Sequence, residues 1–149
     1  WVTDSGEKHI PLSFKFHVSM CGSLGIGGHL LRWTPEECQG AARHITLYKK
    51  IRPIIQFGDL YRLRSPQEYP YSAVQYMSKD KSSGVLFAFR THMSNPAQLP
   101  VIRLQGLEPE ALYTIEGVDF KRSGAAWMEI GVLFDLKDYE SRLCRIQQI

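Results

Sequence analysis

Two periods compete near the start of the chain, and one dominates the stretch that follows. Leu12, Phe14, Phe16, Val18 and Met20 alternate with Ser13, Lys15, His17 and Ser19, the period of a strand with one buried face. Leu12, Phe16 and Met20 also recur at steps of four, and Pro11 stands where a helix can open, so the same letters fit a helix. Further on the competition disappears. Cys38, Ala41, Ala42, Ile45, Tyr48 and Ile51 recur at steps of three and four and form one apolar stripe, while Gln39, Arg43, Thr46 and Lys50 face away. Thr34 supplies an N-cap, Pro35 suits the first helical position, and Glu37 closes a capping box, which predicts a helix over 35–52. Pro53, which has no N–H to donate, is expected to stop or kink it.

Between these segments lies Met20-Cys-Gly-Ser-Leu-Gly-Ile-Gly-Gly-His, a glycine-loosened strand feeding the helix start. A buried strand with a crossover helix needs parallel neighbours and a second layer of helices. Only about twenty residues precede this unit and mostly short β-type segments follow it, so the chain is expected to be the tail of a larger protein. Residue 1 is Trp rather than Met, which carries the same expectation.

After Ile54-Ile-Gln-Phe-Gly-Asp-Leu-Tyr-Arg-Leu-Arg64 the pattern changes in the proline-bearing loop Ser65-Pro-Gln-Glu-Tyr-Pro70, and a domain boundary is expected there, dividing the chain into 1–66 and 67–149. Downstream, 72–77, 85–91, 101–104, 112–116, 127–132 and 142–146 are strand-like. Turn signals separate them at Lys79-Asp-Lys-Ser-Ser-Gly84, Ser94-Asn-Pro96, Gly106-Leu-Glu-Pro109 and Arg122-Ser-Gly124. Short strands at this spacing predict an antiparallel β-sandwich. The fold class expected is α+β.

Composition narrows the function more than the fold. With 149 residues, 44% of them hydrophobic and 22% charged, the chain can bury a core and is not a disordered segment. The net charge of +3 is mild, and the densest basic cluster, Lys49, Lys50 and Arg52, sits at a helix end where cations complement the dipole. No nucleic-acid partner is expected. Cys21, Cys38 and Cys144 contain no CxxC pair and cannot all pair within the chain, which fits a reducing compartment, the cytoplasm. The apolar run at 85–89 is far shorter than the roughly 20 residues that cross a bilayer, so no membrane partner is expected.

Candidate chemistry is sparse. There is no G-x-S-x-G elbow, and neither Cys21 nor Ser23 has a base that the sequence places beside it. Gly22, Gly25, Gly27 and Gly28 lack the Lys-Ser/Thr of a phosphate loop and the spacing of a dinucleotide fingerprint. His9, His17, His29, His44 and His92 form no H-x-H pair and no i, i+4 pair, so no metal site and no cofactor are expected, and these rings read as surface or hydrogen-bonded groups. Glu36 and Glu37 suit a first helical turn, and Asp135, Asp138 and Glu140 lie in a turn-rich stretch. Trp33 and Trp127 offer flat faces for a sugar, against the plainer reading that they pack.

From His17 to Leu63 the motifs become specific: His-Val-Ser-Met-Cys-Gly-Ser-Leu-Gly-Ile-Gly-Gly, then the capped helix, then Tyr48-Lys-Lys-Ile-Arg-Pro-Ile-Ile-Gln-Phe-Gly-Asp-Leu-Tyr-Arg-Leu63. This stretch resembles the C-terminal end of the alpha-galactosidases of glycoside hydrolase family 36, where a Tyr-Lys-x-Ile-Arg-Pro-x-x-Gln-x-Gly-x-x-Tyr-Arg-Leu run closes the catalytic barrel and a short antiparallel β-domain follows. The similarity continues in Arg103-Leu-Gln-Gly-Leu-Glu-Pro-Glu-Ala-Leu-Tyr113, Ser123-Gly-Ala-Ala-Trp-Met-Glu-Ile-Gly131 and Ser141-Arg-Leu143.

The resemblance implies a helix at 11–21, a last barrel strand in the glycine block, and a last barrel helix at 35–52. Residues 1–66 would then be the end of a (β/α)8 barrel and 67–149 an antiparallel β-sandwich. It also implies a retaining glycosidase acting on terminal α-linked galactose, with two carboxyl groups about 5 to 5.5 Å apart. The family's Lys-x-Asp and Ser-Asp-x-x-Asp stretches have no match here, so both carboxylates are expected upstream; no residue of this chain is assigned a catalytic role, and its substrate-binding residues stay unassigned. The chain has Trp1 where family members often have His, Gly6-Glu-Lys-His9 where they carry Pro-Asn-His, and Gly25-Ile-Gly-Gly-His29 where many carry Gly-Tyr-Glu-Leu-Asp. Both loop changes fall where a barrel gathers its substrate, so they bear on sugar specificity, and Asp4 becomes a rim candidate against the plainer reading of a surface loop residue.

Two functions follow as expectations. In the first, the chain is the C-terminal fragment of an alpha-galactosidase-like hydrolase, inactive alone, with an α-galactoside or related oligosaccharide as the parent's substrate. In the alternative, it is a non-catalytic module that binds carbohydrate or another subunit through an aromatic patch or one centred on Trp127. The first reading also leaves an apolar face beside residues 10–60 and predicts self-association to cover it.

Overall fold

The computed structural model describes residues 2–4, 6, 9–67, 70–92 and 100–149. Trp1, Glu68, Tyr69 and the turn expected at Ser94-Asn-Pro96 lie outside the described residues. The chain opens with strand β1 (Val2–Thr3), helix α1 (Leu12–Met20), strand β2 (Gly25–Ile26), a 3-10 turn at Leu30–Arg32 and helix α2 (Pro35–Phe57). β1 and β2 run parallel, Val2 beside Gly25 and Thr3 beside Ile26, with α1 as their crossover.

The period conflict at 12–20 resolves to helix. Phe16 stacks on His44 of α2 at 4.9 Å, and Phe14, Phe16 and Met20 are buried. Val18, which the alternation grouped with them, is turned to an open flank and is 39% exposed. Side-chain burial on two sides of a helix selects the period of four.

Helix α2 starts as expected. The Glu37 N–H donates to Thr34 Oγ1 at 3.2 Å, and the Thr34 N–H donates to Glu37 Oε2 at 2.8 Å. It does not stop at Pro53 but runs on to Phe57. A helical proline costs about 3 kcal/mol, whereas burying Ile51 and Ile55 returns roughly 1.5–3 kcal/mol each. The helix ends at Gly58, where a Cβ would collide with the carbonyl oxygens of Ile54 and Met77.

The rest of the chain forms β3 (Asp59–Arg64), β4 (Tyr71–Met77), β5 (Ser83–Arg90), β6 (Leu112–Ile115), β7 (Arg122–Ser123), helix α3 (Gly124–Glu129) and β8 (Ser141–Gln148). The strands make one antiparallel sheet in the order β3-β4-β5-β8-β6-β7. Segment 59–64, on the N-terminal side of the change expected at residue 66, is hydrogen-bonded into this sheet.

Central strand β5 is apolar on both faces. Val85, Phe87 and Phe89 meet Tyr76 under the two long helices. Leu86 and Ala88 join Tyr71, Ala73 and Met77 on the opposite face.

The antiparallel expectation holds, but the two-sheet sandwich does not: among the described residues the second face is covered by irregular chain and α3 rather than by another sheet. Segment 101–104 contributes only the isolated bridge Ile102 to Val132. Segment 127–132, expected as a strand, begins inside a helix, because Ser123 caps it by accepting from the Ala126 N–H at 3.2 Å. Gln75, fully buried, ties that irregular layer to the sheet: its Nε2 donates to the Gln105 carbonyl at 2.7 Å, and its Oε1 accepts from the Gln105 N–H at 3.0 Å. A buried amide satisfied on both ends costs little, and it fixes where the loop sits.

Candidate functional site

The parallel pair sets the geometry of a place where an exposed carboxylate stands just past the end of a parallel strand. In β–α–β units, side chains and loops just past the C-terminal ends of the strands are those that meet a ligand. Asp4 follows β1 directly, and its side chain is 58% exposed. Its Oδ1 accepts from the Gly6 N–H at 2.9 Å and lies 3.9 Å from Lys15 Nζ of α1. On the neighbouring strand the Gly27 N–H donates to the Thr3 carbonyl at 2.8 Å, so the glycine block extends the pairing one step past β2. Gly28 then turns with φ +85°, and a Cβ there would sit 3.7 Å from that of Asp4. The glycines thus bring bare backbone alongside the carboxylate. Thr3 Oγ1, just beneath, is buried with no hydrogen-bond partner. Beyond the turn, Leu30 and Leu31 are exposed, Leu31 completely.

The histidines do not gather. His17 is buried between α1 and the sheet, with Nδ1 2.9 Å from Ser141 Oγ and its ring 5.3 Å from that of His44. His92 pairs with Asp138 at 2.8 Å on the surface, and His9 meets the edge of Tyr139. Among the described residues no group of three or more His, Cys, Asp or Glu is placed to hold a metal ion. No helix among them is long and apolar enough to cross a membrane.

Burial, and then the charge of His44, push the His17 pKa down to about 4. A group that is neutral in the fold but protonates near 6.5 when unfolded makes the unfolded chain bind the extra proton between those values. Stability should therefore be intact above pH 6.5, fall as the pH drops toward 4, and lose about 3 kcal/mol over that window through this residue. Denaturant midpoints at pH 7 and pH 4.5 measure it, and His17→Gln should flatten the profile. An equally steep fall in that variant would assign the acid sensitivity elsewhere.

The cysteines are single thiols. Burial pushes both Cys21 and Cys144 up to about 12, which keeps them protonated and poor nucleophiles, and Cys38 is exposed on α2.

Both tryptophans pack. Trp33 is buried, and Trp127 is fully buried under Phe120, whose ring stacks on it at 5.5 Å. A binding patch centred on Trp127 is therefore not available, since the indole does not reach the surface. Arg122 lies over both rings, and Phe120 borders a groove of about 480 Å³ with Val101, Ile130 and Leu133. A second groove, of about 430 Å³, lies between α1 and the face formed by β3, β4 and β5.

A parallel β–α–β–α unit thus runs into a six-stranded antiparallel sheet. Residues 71–146 match the glycosyl hydrolase family 36 C-terminal domain, and the chain belongs to glycoside hydrolase family 36. Among its relatives, a probable alpha-galactosidase G of Emericella nidulans is 38% identical over 140 residues, which is 93% of this chain and 19% of that protein. Alpha-galactosidase AgaA of Geobacillus stearothermophilus is 31% identical over the same share of each. The structure of alpha-galactosidase AgaB from the same bacterium superposes with a TM-score of 0.91 at 30% identity, over 99% of this chain and 21% of that one. The chain thus spans about a fifth of the length of these relatives.

Proposed function

We propose that this chain is the C-terminal part of a retaining hydrolase that removes terminal α-linked galactose, and that it works in a reducing, cytoplasmic setting. The observation that carries the reading is the extent of the similarity. Identity to alpha-galactosidases covers 93% of the chain, so it includes the β–α–β–α unit as well as the sheet matched by the family model at 71–146. That unit has the form of the last two repeats of a (β/α)8 barrel, with the sheet braced against the barrel's outer helices. AgaA has been solved in complex with raffinose and with stachyose, which makes α-galactosyl oligosaccharides the substrate class to try first.

In this reading Asp4, at the C-terminal end of a barrel strand, faces the substrate, and the glycine block beside it leaves room for a sugar ring. Retaining glycosidases need two carboxyl groups about 5 to 5.5 Å apart. Both are expected upstream, since the family's Lys-x-Asp and Ser-Asp-x-x-Asp stretches have no match here, so turnover requires the upstream part. Hydrolysis of an aryl α-galactoside tests this: the whole protein should be active and the 149-residue chain inactive. A whole protein that leaves α-galactosides intact but hydrolyses another α-glycoside would overturn the sugar assignment, and activity in the isolated chain would overturn the division of labour.

A further inference from the structure

Helix α1 has four sides, and three of them are occupied. Leu12 and Phe16 meet α2, where a Cβ on Gly40 would lie 3.7 Å from Leu12 Cδ2 and His44 stacks on Phe16. His17 and Phe14 meet the antiparallel sheet, through Ser141 and through Phe89 at 5.5 Å. Lys15 reaches Asp4 after β1. Val18 marks the fourth side, about 160° around the helix from Phe16 at 3.6 residues per turn, and it is 39% exposed.

On that side lies the groove of about 430 Å³, whose lining sets apolar Phe14, Val18, Leu60 and Val74 beside Arg62 and Arg64. Leu60, on edge strand β3, is 41% exposed there. Among the described residues, the sheet face is thus covered by helix up to α1, with no helix beyond it.

We infer that this groove is the seat of the helix that precedes β1 in the whole protein. The inference rests on the reading that this chain ends a β/α protein, and it names the surface by which the sheet holds on to the rest. Crossovers in such folds share one hand, so successive helices step around the strands in one direction. Since α2 follows α1 on the Phe16 side, the helix before α1 must lie on the opposite flank, which is the Val18 side. A helix set there contacts α1 and the sheet at once, as α2 does on the other flank. The chain spans only 19% of its relatives, so the length needed to supply that helix lies outside it.

Thiol accessibility in the whole protein tests the assignment. Val18→Cys and Leu60→Cys, each with Cys38→Ser to remove the exposed thiol, are compared with Leu133→Cys, which is 52% exposed in the other groove. Both groove variants should react with a maleimide about 100-fold more slowly than the Leu133→Cys reference, since thiol reactivity follows access. p-Benzoylphenylalanine in place of Leu60 should cross-link to a peptide upstream of residue 1 in the same polypeptide. Reaction rates within about threefold of the reference, or a cross-link to a second copy of the protein, would overturn the inference. Both readouts are independent of turnover: a protected groove in a protein with no α-galactosidase activity would leave the seat standing and remove the proposed function, and an open groove in an active enzyme would do the reverse.

Discussion

In the whole protein, Asp4→Asn is expected to lower kcat/KM on an aryl α-galactoside by about 10- to 100-fold, the loss of one charge-assisted hydrogen bond to the sugar, while leaving the melting temperature within about 2 °C of the parent. The two halves of this expectation come from the same geometry. Asp4 is exposed, its contact with the largely buried Lys15 is long at 3.9 Å, and an Asn keeps the oxygen that accepts from the Gly6 N–H. Such pairs contribute about 0–1 kcal/mol, so the fold does not need the charge. The position, directly past a parallel strand and beside a glycine turn, is the one from which a carboxylate meets a sugar. If kcat/KM changes by less than about threefold, below the usual worth of a hydrogen bond to a charged group, Asp4 is a surface loop residue outside the sugar site.

Trp127→Ala acts on stability in the opposite proportion. The indole has no exposed surface, its Nε1 donates to the Tyr113 carbonyl at 3.1 Å, and Phe120 and Arg122 stack against it. Truncating a buried Trp leaves a cavity and an unpaired carbonyl, at a cost of about 3–5 kcal/mol. Chemical unfolding should show that loss, with edge strand β7 and its neighbour β6 losing amide protection first. Phe120→Ala, at a half-exposed ring on the same stack, should cost less than half as much; equal losses would mean that the stack, and not the buried indole, holds the irregular layer in place.

The parts of this fold that were legible in the sequence are those whose signals are local. Thr34, Pro35 and Glu37 define a helix start within four residues, and the structure reproduces their hydrogen bonds. The helix end was not legible, because the residues that carry α2 past Pro53, Ile51 and Ile55, gain their burial from strands far along the chain. Residues 12–20 satisfied two periods, and only contacts with α2 and the sheet separate them. The sandwich expectation failed for a related reason. Segment 127–132 has a strand-like composition, yet Ser123 offers a cap, and Trp127 is buried from a helix as readily as from a strand.

Asp4 was the hardest residue to weigh. Its neighbours in sequence suggest a surface loop, and its place at a strand end exists only through pairing of Thr3 with Ile26, more than twenty residues away. The glycine block was readable as a loosened strand, but what it runs beside was not.

The sheet's register has a consequence for anyone exchanging this end between relatives. Homology begins at Tyr71 in the family model, and the loop at 65–70 invites a splice there. A splice at that point parts β3 from β4 and sets a relative's strand against Tyr76, Gln75 and Val74, which pair here with Leu60, Tyr61 and Arg62. β4 also carries Tyr71, Ala73 and Met77, and wherever the foreign strand fails to match it, its unpaired N–H and C=O groups would template another copy. Chimeras joined at Gly58 keep the two strands together and should remain dispersed, whereas those joined at residue 70 should be the more prone to intermolecular sheet.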